Sequence, residues 1–210
     1  MSVSEPDWLV WAREVQAIAQ TGLAFNPNGY DHERYVALQA LAARIMAARG
    51  GGEPPMVEGL FARQAGYATP KVDVRGAVFR DGRILLVREA ADAGRWTLPG
   101  GWADVGLTPA ENVVKEVREE SGFDVRVRKL AAVWDRSRQG HTPELFHSYK
   151  MFFLCDIVGG AAAVSAETTE VAFFAEAALP PDLSVPRVLP RQIASMFAHW
   201  RDPDQPTDFE

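Results

Sequence analysis

The sequence predicts an α+β protein: a small helical segment first, then strands around one long helix in an α/β sandwich. Three observations carry that expectation. Apolar residues recur at helical spacing through the first third of the chain, and strand-like alternation takes over after Thr69-Pro70. An amphipathic helix then opens behind the double glycine Gly100-Gly101. The joint at Thr69-Pro70, where the residue before proline avoids helix, divides the chain into a helical domain, 1–68, and a larger domain, 69–205.

In the first domain, Ser4 and Asp7 are candidate caps for a helix carrying Trp8, Trp11, Val15, Ile18 and Ala19 as its packed stripe, with Gly22 as its stop. Asp31 caps a second helix, with Leu38, Leu41, Ala42 and Ile45 on one side and Gly50-Gly51-Gly52 ending it. A third holds Val57, Leu60 and Phe61. A core this small leans on the other domain or on a second subunit. Beyond the joint, 71–79 and 83–89 read as a hairpin around Asp81-Gly82, and 96–98 as a short strand. Residues 125–135, 145–158 and 170–174 follow as strands, then a helix near 187–200 and a polar tail expected to fray.

Composition narrows the function. The 210 residues are 47% hydrophobic and 24% charged, as in a soluble domain with a real core. A net charge of -6 argues against a stable nucleic-acid complex. No apolar run approaches the roughly 18 residues of a membrane span. The start of the chain lacks the pattern of a signal peptide, and a single cysteine, Cys155, allows no internal disulfide. The expected location is the cytoplasm.

The chemistry concentrates between Trp96 and Phe123. Thr108-Pro109 begins a helix and Gly122 ends it. Glu119 and Glu120 lie three and four residues beyond Glu116, on the same side of the helix. Clustered carboxylates are hard oxygen ligands suited to Mg²⁺ or Mn²⁺, and such ions bridge carboxylates to substrate phosphates.

At these residues the chain resembles the Nudix hydrolases, whose box reads G-x5-E-x7-R-E-U-x-E-E-x-G-U with U a bulky apolar residue. Gly101, Glu116, Val117, Glu119, Glu120, Gly122 and Phe123 match, whereas Leu107 replaces the first glutamate and Lys115 the arginine. The N-terminal WLVWAREVQAIAQTGLAF, with YDHERY, GYATPKVDVRGAVF and WTLPGGWADVG, is similar to a bacterial subgroup with an added helical domain. That subgroup includes CDP-choline pyrophosphatases, its members are often labelled ADP-ribose pyrophosphatases, and it tends to carry a non-acidic residue at the position of Leu107.

The resemblance implies an α/β/α sandwich behind the helical domain, a homodimer, and metal-dependent hydrolysis of a nucleoside diphosphate linked to another moiety. It implies that Glu116, Glu119, Glu120 and the Gly101 carbonyl hold Mg²⁺ or Mn²⁺, and that Glu116 and Glu119 belong to the catalytic set. It also implies that a carboxylate, Glu170 or Glu116, takes the proton from water. CDP-choline is the favoured substrate; ADP-ribose hydrolysis, trimming of RNA 3′ ends and a non-catalytic nucleotide sensor are the alternatives. For substrate contacts the candidates are Arg136 in the basic loop 135–141, the strand residues Arg75 and Arg88, Trp102 beside the glycines, and His147. Each has a plainer reading. Arg75, on the face opposite Val72 and Val74, and Arg88 read as outward-facing strand charges, and the basic loop as solvated surface. His147, sharing a sheet face with Tyr149, reads as a core-adjacent histidine.

Overall fold

The computed structural model describes residues 5–25, 29–50 and 52–210; Ser4 and Gly51, a candidate cap and part of a stop, lie outside them. Two compact units form, one from the chain up to Pro70 with Pro143–His147, the other from Lys71–Thr142 with Ser148–Glu210.

The first unit holds α1 (Asp7–Phe25), α2 (Tyr30–Gly50) and α3 (Pro54–Ala62). Leu9, Ala12, Ala42, Ala43, Met46, Val57 and Phe61 form its buried core. Of the expected stripe on α1, Ala19 is buried and Trp8 and Val15 pack against this core, but Trp11 and Ile18 are 61% and 59% exposed. Alanines at the contact let the helices approach closely and rotate that edge outward. Gly22 does not stop α1, which runs on to Phe25; the Tyr35 ring lies where a β-carbon at Gly22 would stand. The strand expected over 145–158 loses its first three residues to this unit. Leu145 and Phe146 pack on the helical core, and Arg13 donates to the carbonyls of Glu144 and Leu145.

The second unit is built on β1 (Lys71–Arg80) and β2 (Arg83–Glu89), joined through Asp81 and Gly82 at φ of 49° and 72°. Both turn residues are left-handed, as the expected two-residue hairpin requires. There follow β3 (Arg95–Thr97), α4 (Pro109–Ser121), β4 (Phe123–Asp135), β5 (Ser148–Gly160), β6 (Thr168–Phe174), α5 (Pro190–Arg201) and β7 (Asp208–Phe209). β1 runs parallel to β5, which pairs antiparallel with β4; β2 pairs antiparallel with β3 and β6. β1 and β2 stay paired only beside their turn, at Phe79–Ile84 and Arg80–Arg83. The vacated edge of β1 is taken by residues 99–103: Gly76 N donates to Pro99 O (2.8 Å), Val74 N to Gly101 O (2.8 Å), and Ala103 N to Val72 O (2.9 Å).

Helices cover both faces. Val113 and Val117 of α4 pack with Val74, Val78 and Phe153 on one side; Ile193, Met196 and Phe197 of α5 pack with Ala77, Trp134 and Phe152 on the other. This is the expected α/β/α sandwich. Double coverage also overturns the outward reading of Arg75: the face opposite Val74 meets α5 rather than water, and Arg75 is 3% exposed.

The tail does not fray. Ala132 and Val133 of β4 pair in parallel with Asp208 and Phe209, Thr207 Oγ1 donates to Leu130 O (2.8 Å), and Lys129 Nζ donates to the carbonyls of Pro203 and Gln205. Backbone pairing along an otherwise open strand edge outweighs the polar composition of the segment. Among the described residues no helix is long and apolar enough to cross a membrane.

Candidate active site

The glycine loop is fixed by contact with β1. Gly100 sits at φ 140°, and a β-carbon there would overlap the Val74 carbonyl oxygen. Only glycine permits that approach. Its N–H donates to Glu120 Oε2 at 2.9 Å, tying the loop to α4. Gly100→Ala is therefore expected to cost about 3 kcal/mol of folding stability, measured as a lowered urea midpoint. A midpoint equal to wild type would show that the close approach is dispensable.

α4 begins in a capping box: Thr108 Oγ1 accepts from Glu111 N (3.2 Å), and Glu111 Oε2 from Thr108 N (2.8 Å). Gly122, left-handed at φ 78°, ends it. Asn112, fully buried, fastens the preceding loop to the helix. Its Oδ1 accepts from Asp104 N (2.7 Å), and its Nδ2 donates to the carbonyls of Asp104 (3.3 Å) and Thr108 (3.2 Å).

The three box glutamates share one side of α4 in different environments. Glu120 is 4% exposed, and burial pushes its carboxyl up to about 7; Arg75 and the Gly100 N–H oppose this, while Glu116 and Glu89 add to it. Glu116 is half-buried, with Oε2 3.0 Å from where a Gly101 β-carbon would stand. Burial raises its carboxyl too, against the pull of Lys115. Glu119 faces solvent. Lys115 Nζ lies 3.4 Å from Glu116 Oε1, 3.1 Å from Glu119 Oε2 and 3.2 Å from Asp104 Oδ2. Among the described residues, no three carboxylates, imidazoles or thiols are already gathered as a metal-ligand set.

Behind the loop, on the α5 side, lies a buried charge group. Arg75 grips Asp73 through Nε (2.9 Å) and Nη2 (2.7 Å) and donates Nη1 to Leu98 O (3.1 Å). Lys150 Nζ donates to Asp73 Oδ1 at 2.7 Å. Burial alone would raise the Asp73 carboxyl, but the two cations outweigh it and hold it at about 2. Burial lowers the Lys150 ammonium to about 8 despite Asp73. Arg75 thus has its donors committed to the loop and Asp73, and its charge reaches Glu120 from beneath.

The remaining candidates do not share one place. Trp102, half-exposed, is bridged to Asp73, so its indole stands on the Asp73 side of the loop. Arg88 donates to Glu170 Oε1 (2.7 Å) and Asp182 Oδ2 (3.3 Å), as well as to Gly94 O, clamping β2 to its neighbours. Glu170 is thereby paired on the strand ladder. Arg136 is 4% exposed and donates to Pro186 O (3.2 Å), so the solvated-loop expectation fits Arg138 but not Arg136. His147 precedes β5 and belongs to the helical unit, so it does not alternate with Tyr149 on the sheet.

Four residues escaped the sequence reading: Asp73, Lys150, Asp104 and Glu89. Glu89, 7% exposed at the end of β2, lies 3.4 Å from Arg187 and is near enough to Glu120 to raise its carboxyl. The local signal available was a charged residue inside an apolar strand run, at Asp73 and Lys150.

The glutamate-bearing α4, glycine loop and sandwich agree with the family that the comparisons give. Residues 69–192 match the NUDIX domain and residues 6–61 the UDP-X-like, N-terminal oligomerisation domain. The chain belongs to the Nudix hydrolases, enzymes acting on phosphorus-containing anhydrides. Within them it is a pyrophosphatase of nucleoside diphosphate-linked moieties. It is 46% identical over 203 residues to a putative ADP-ribose pyrophosphatase of Bacillus subtilis, covering 97% of each chain. A crystal structure of a UDP-X diphosphatase superposes with a TM-score of 0.62 at 31% identity, covering 99% of this chain and 100% of that one. An ADP-ribose pyrophosphatase from Streptococcus suis gives 0.59 at 35% identity, over 68% of this chain and 100% of that one.

Proposed function

We propose that the enzyme hydrolyses the pyrophosphate of CDP-choline, giving CMP and phosphocholine, with Mg²⁺ or Mn²⁺ held by Glu116, Glu119, Glu120 and the Gly101 carbonyl. The observation that carries the metal site is the junction of loop and helix, with Glu116 Oε2 against Gly101 and Glu120 Oε2 on the Gly100 N–H; the choice of CDP-choline rests on the resemblance of the sequence alone. The donor set fits the ion. All the donors are hard oxygens, and the Gly101 carbonyl spends one lone pair on Val74 N and keeps a second. When bound, the ion neutralises charge on the phosphoryl oxygens and makes a water more acidic.

The chain's own residues do the rest. The Gly100 N–H holds Glu120 against the loop, the Arg75 charge favours its ionised form, and Trp102 offers an exposed ring on which a base would stack. Glu116 is the better of the two proposed proton acceptors: it sits half-buried within the cluster, whereas Glu170 commits Oε1 to Arg88. A cytoplasmic setting suits Cys155, a buried thiol pushed up to about 12.

The test is phosphate release, with a phosphatase as coupling enzyme, from CDP-choline, CDP-ethanolamine, ADP-ribose, a UDP-sugar, NADH and a short RNA. Preference for CDP-choline is expected. Preference for ADP-ribose, the second reading favoured by the Bacillus subtilis relative's name, would move the specificity and keep the chemistry. Metal-independent binding without turnover would leave a sensor.

The helical unit would form a homodimer. Trp11, Ile18 and Phe25 recur every seven residues along α1 and are 61%, 59% and 73% exposed, an apolar stripe of the kind that a second copy covers. The double variant Trp11→Glu, Ile18→Glu is expected to run as a monomer in light scattering while wild type runs as a dimer. An unchanged mass would place the contact elsewhere.

A further inference from the structure

We propose that Lys115 is the resident counter-ion of the glutamate cluster, and that Asp104 is its alternative seat when a divalent cation binds. This rests on the reading of Glu116, Glu119 and Glu120 as metal ligands.

The box positions that normally carry a glutamate and an arginine hold Leu107 and Lys115 here. Leu107 is 40% exposed and offers no carboxylate. Asp104, three residues earlier, supplies one, with Oδ2 3.2 Å from Lys115 Nζ. The same ammonium lies 3.4 Å from Glu116 Oε1 and 3.1 Å from Glu119 Oε2, so one cation is shared by two box glutamates and one loop carboxylate. Asp104 is held in place by its backbone, which exchanges hydrogen bonds with the buried Asn112 side chain.

Residue type matters here. An arginine fork would hold fixed carboxylate partners, whereas a lysine ammonium on a flexible stem re-aims its three donors at little cost. A divalent cation beside Glu116 and Glu119 faces the Lys115 charge as a like charge. Lys115 relieves that by giving up the glutamates and keeping Asp104. Asp104 and Lys115 are therefore positioning residues that set the affinity of the glutamates for metal.

Mn²⁺ titration of the purified full chain, followed by the spin-resonance signal of free Mn²⁺, separates this from a purely structural role. Lys115→Met is expected to tighten Mn²⁺ binding about fivefold, because the competing cation is gone. Asp104→Asn is expected to weaken it about threefold, because Lys115 then stays on the glutamates. In the Lys115→Met background, Asp104→Asn should change the affinity by less than about twofold. A supporting contact would give the opposite sign for Lys115→Met. Weaker binding by Lys115→Met, in a variant whose thermal melt matches wild type, overturns the inference, as does an undiminished Asp104→Asn effect in the double variant. Wild-type binding that Glu120→Gln leaves unchanged would instead overturn the metal-site reading beneath it.

Discussion

Glu120→Gln is expected to lower kcat/KM for the preferred nucleotide by at least about a hundredfold, since the metal that Glu120 is proposed to hold would supply several kcal/mol of transition-state stabilisation. Glutamine keeps the acceptor for the Gly100 N–H and nearly the same volume, so the loop should survive the change. The same variant should be more stable than wild type at pH 8 without metal. The folded-state carboxyl, at about 7, lies above its ordinary 4.5. Its contribution is therefore complete below 4.5 and lost as pH rises through 7, a difference of about 3 kcal/mol. Turnover with saturating Mg²⁺ and urea midpoints in a chelator check the two halves. Near-normal turnover would remove Glu120 from the site.

His141 gives the second large effect. Its Nδ1 lies 2.8 Å from the Val185 carbonyl, which only accepts, so that nitrogen carries the proton of the neutral ring. Burial pushes the imidazole down to about 3, with Lys150 and Arg136 adding to it and the Val185 carbonyl opposing. Because the folded value lies below the ordinary 6.5, the unfolded chain takes up the proton first. Stability is then complete above 6.5 and falls as pH drops toward 3, by about 2 kcal/mol at pH 5. His141→Gln should lose less stability than wild type between pH 7.5 and pH 5. Asp73, ionised down to about 2, stays charged throughout that interval. Glu120 titrates in the same interval but equally in both proteins, so it cancels in the comparison. Equal losses in the two proteins would acquit His141.

The features legible in the sequence are those written over a few neighbouring residues. Thr108-Pro109, Gly122, the Asp81-Gly82 turn and the box spacing each encode their own geometry. What stayed hidden depends on pairings across the chain. Arg75 looked exposed because nothing near it announces that β1 pairs with β5 and is covered on both faces; its partner Asp73 meets Lys150 across 77 residues. Asp104 became visible only once Asn112 had folded the loop back onto α4. Trp11 and Ile18 carry the right period for a helix, but period cannot say whether the apolar side meets this chain or another.

The tail strand bears on how copies of the enzyme can meet. With Asp208 and Phe209 laid against Ala132 and Val133, this stretch of β4 has no vacant ladder, and the two-residue strand outside it is too short to seed one. Two molecules therefore cannot merge into one continuous sheet through this stretch of β4. Self-association falls to side chains rather than to backbone pairing there. If copies meet through the exposed stripe proposed on α1, their affinity would rest on individual apolar side chains such as Trp11, and could drift in evolution without disturbing the sandwich.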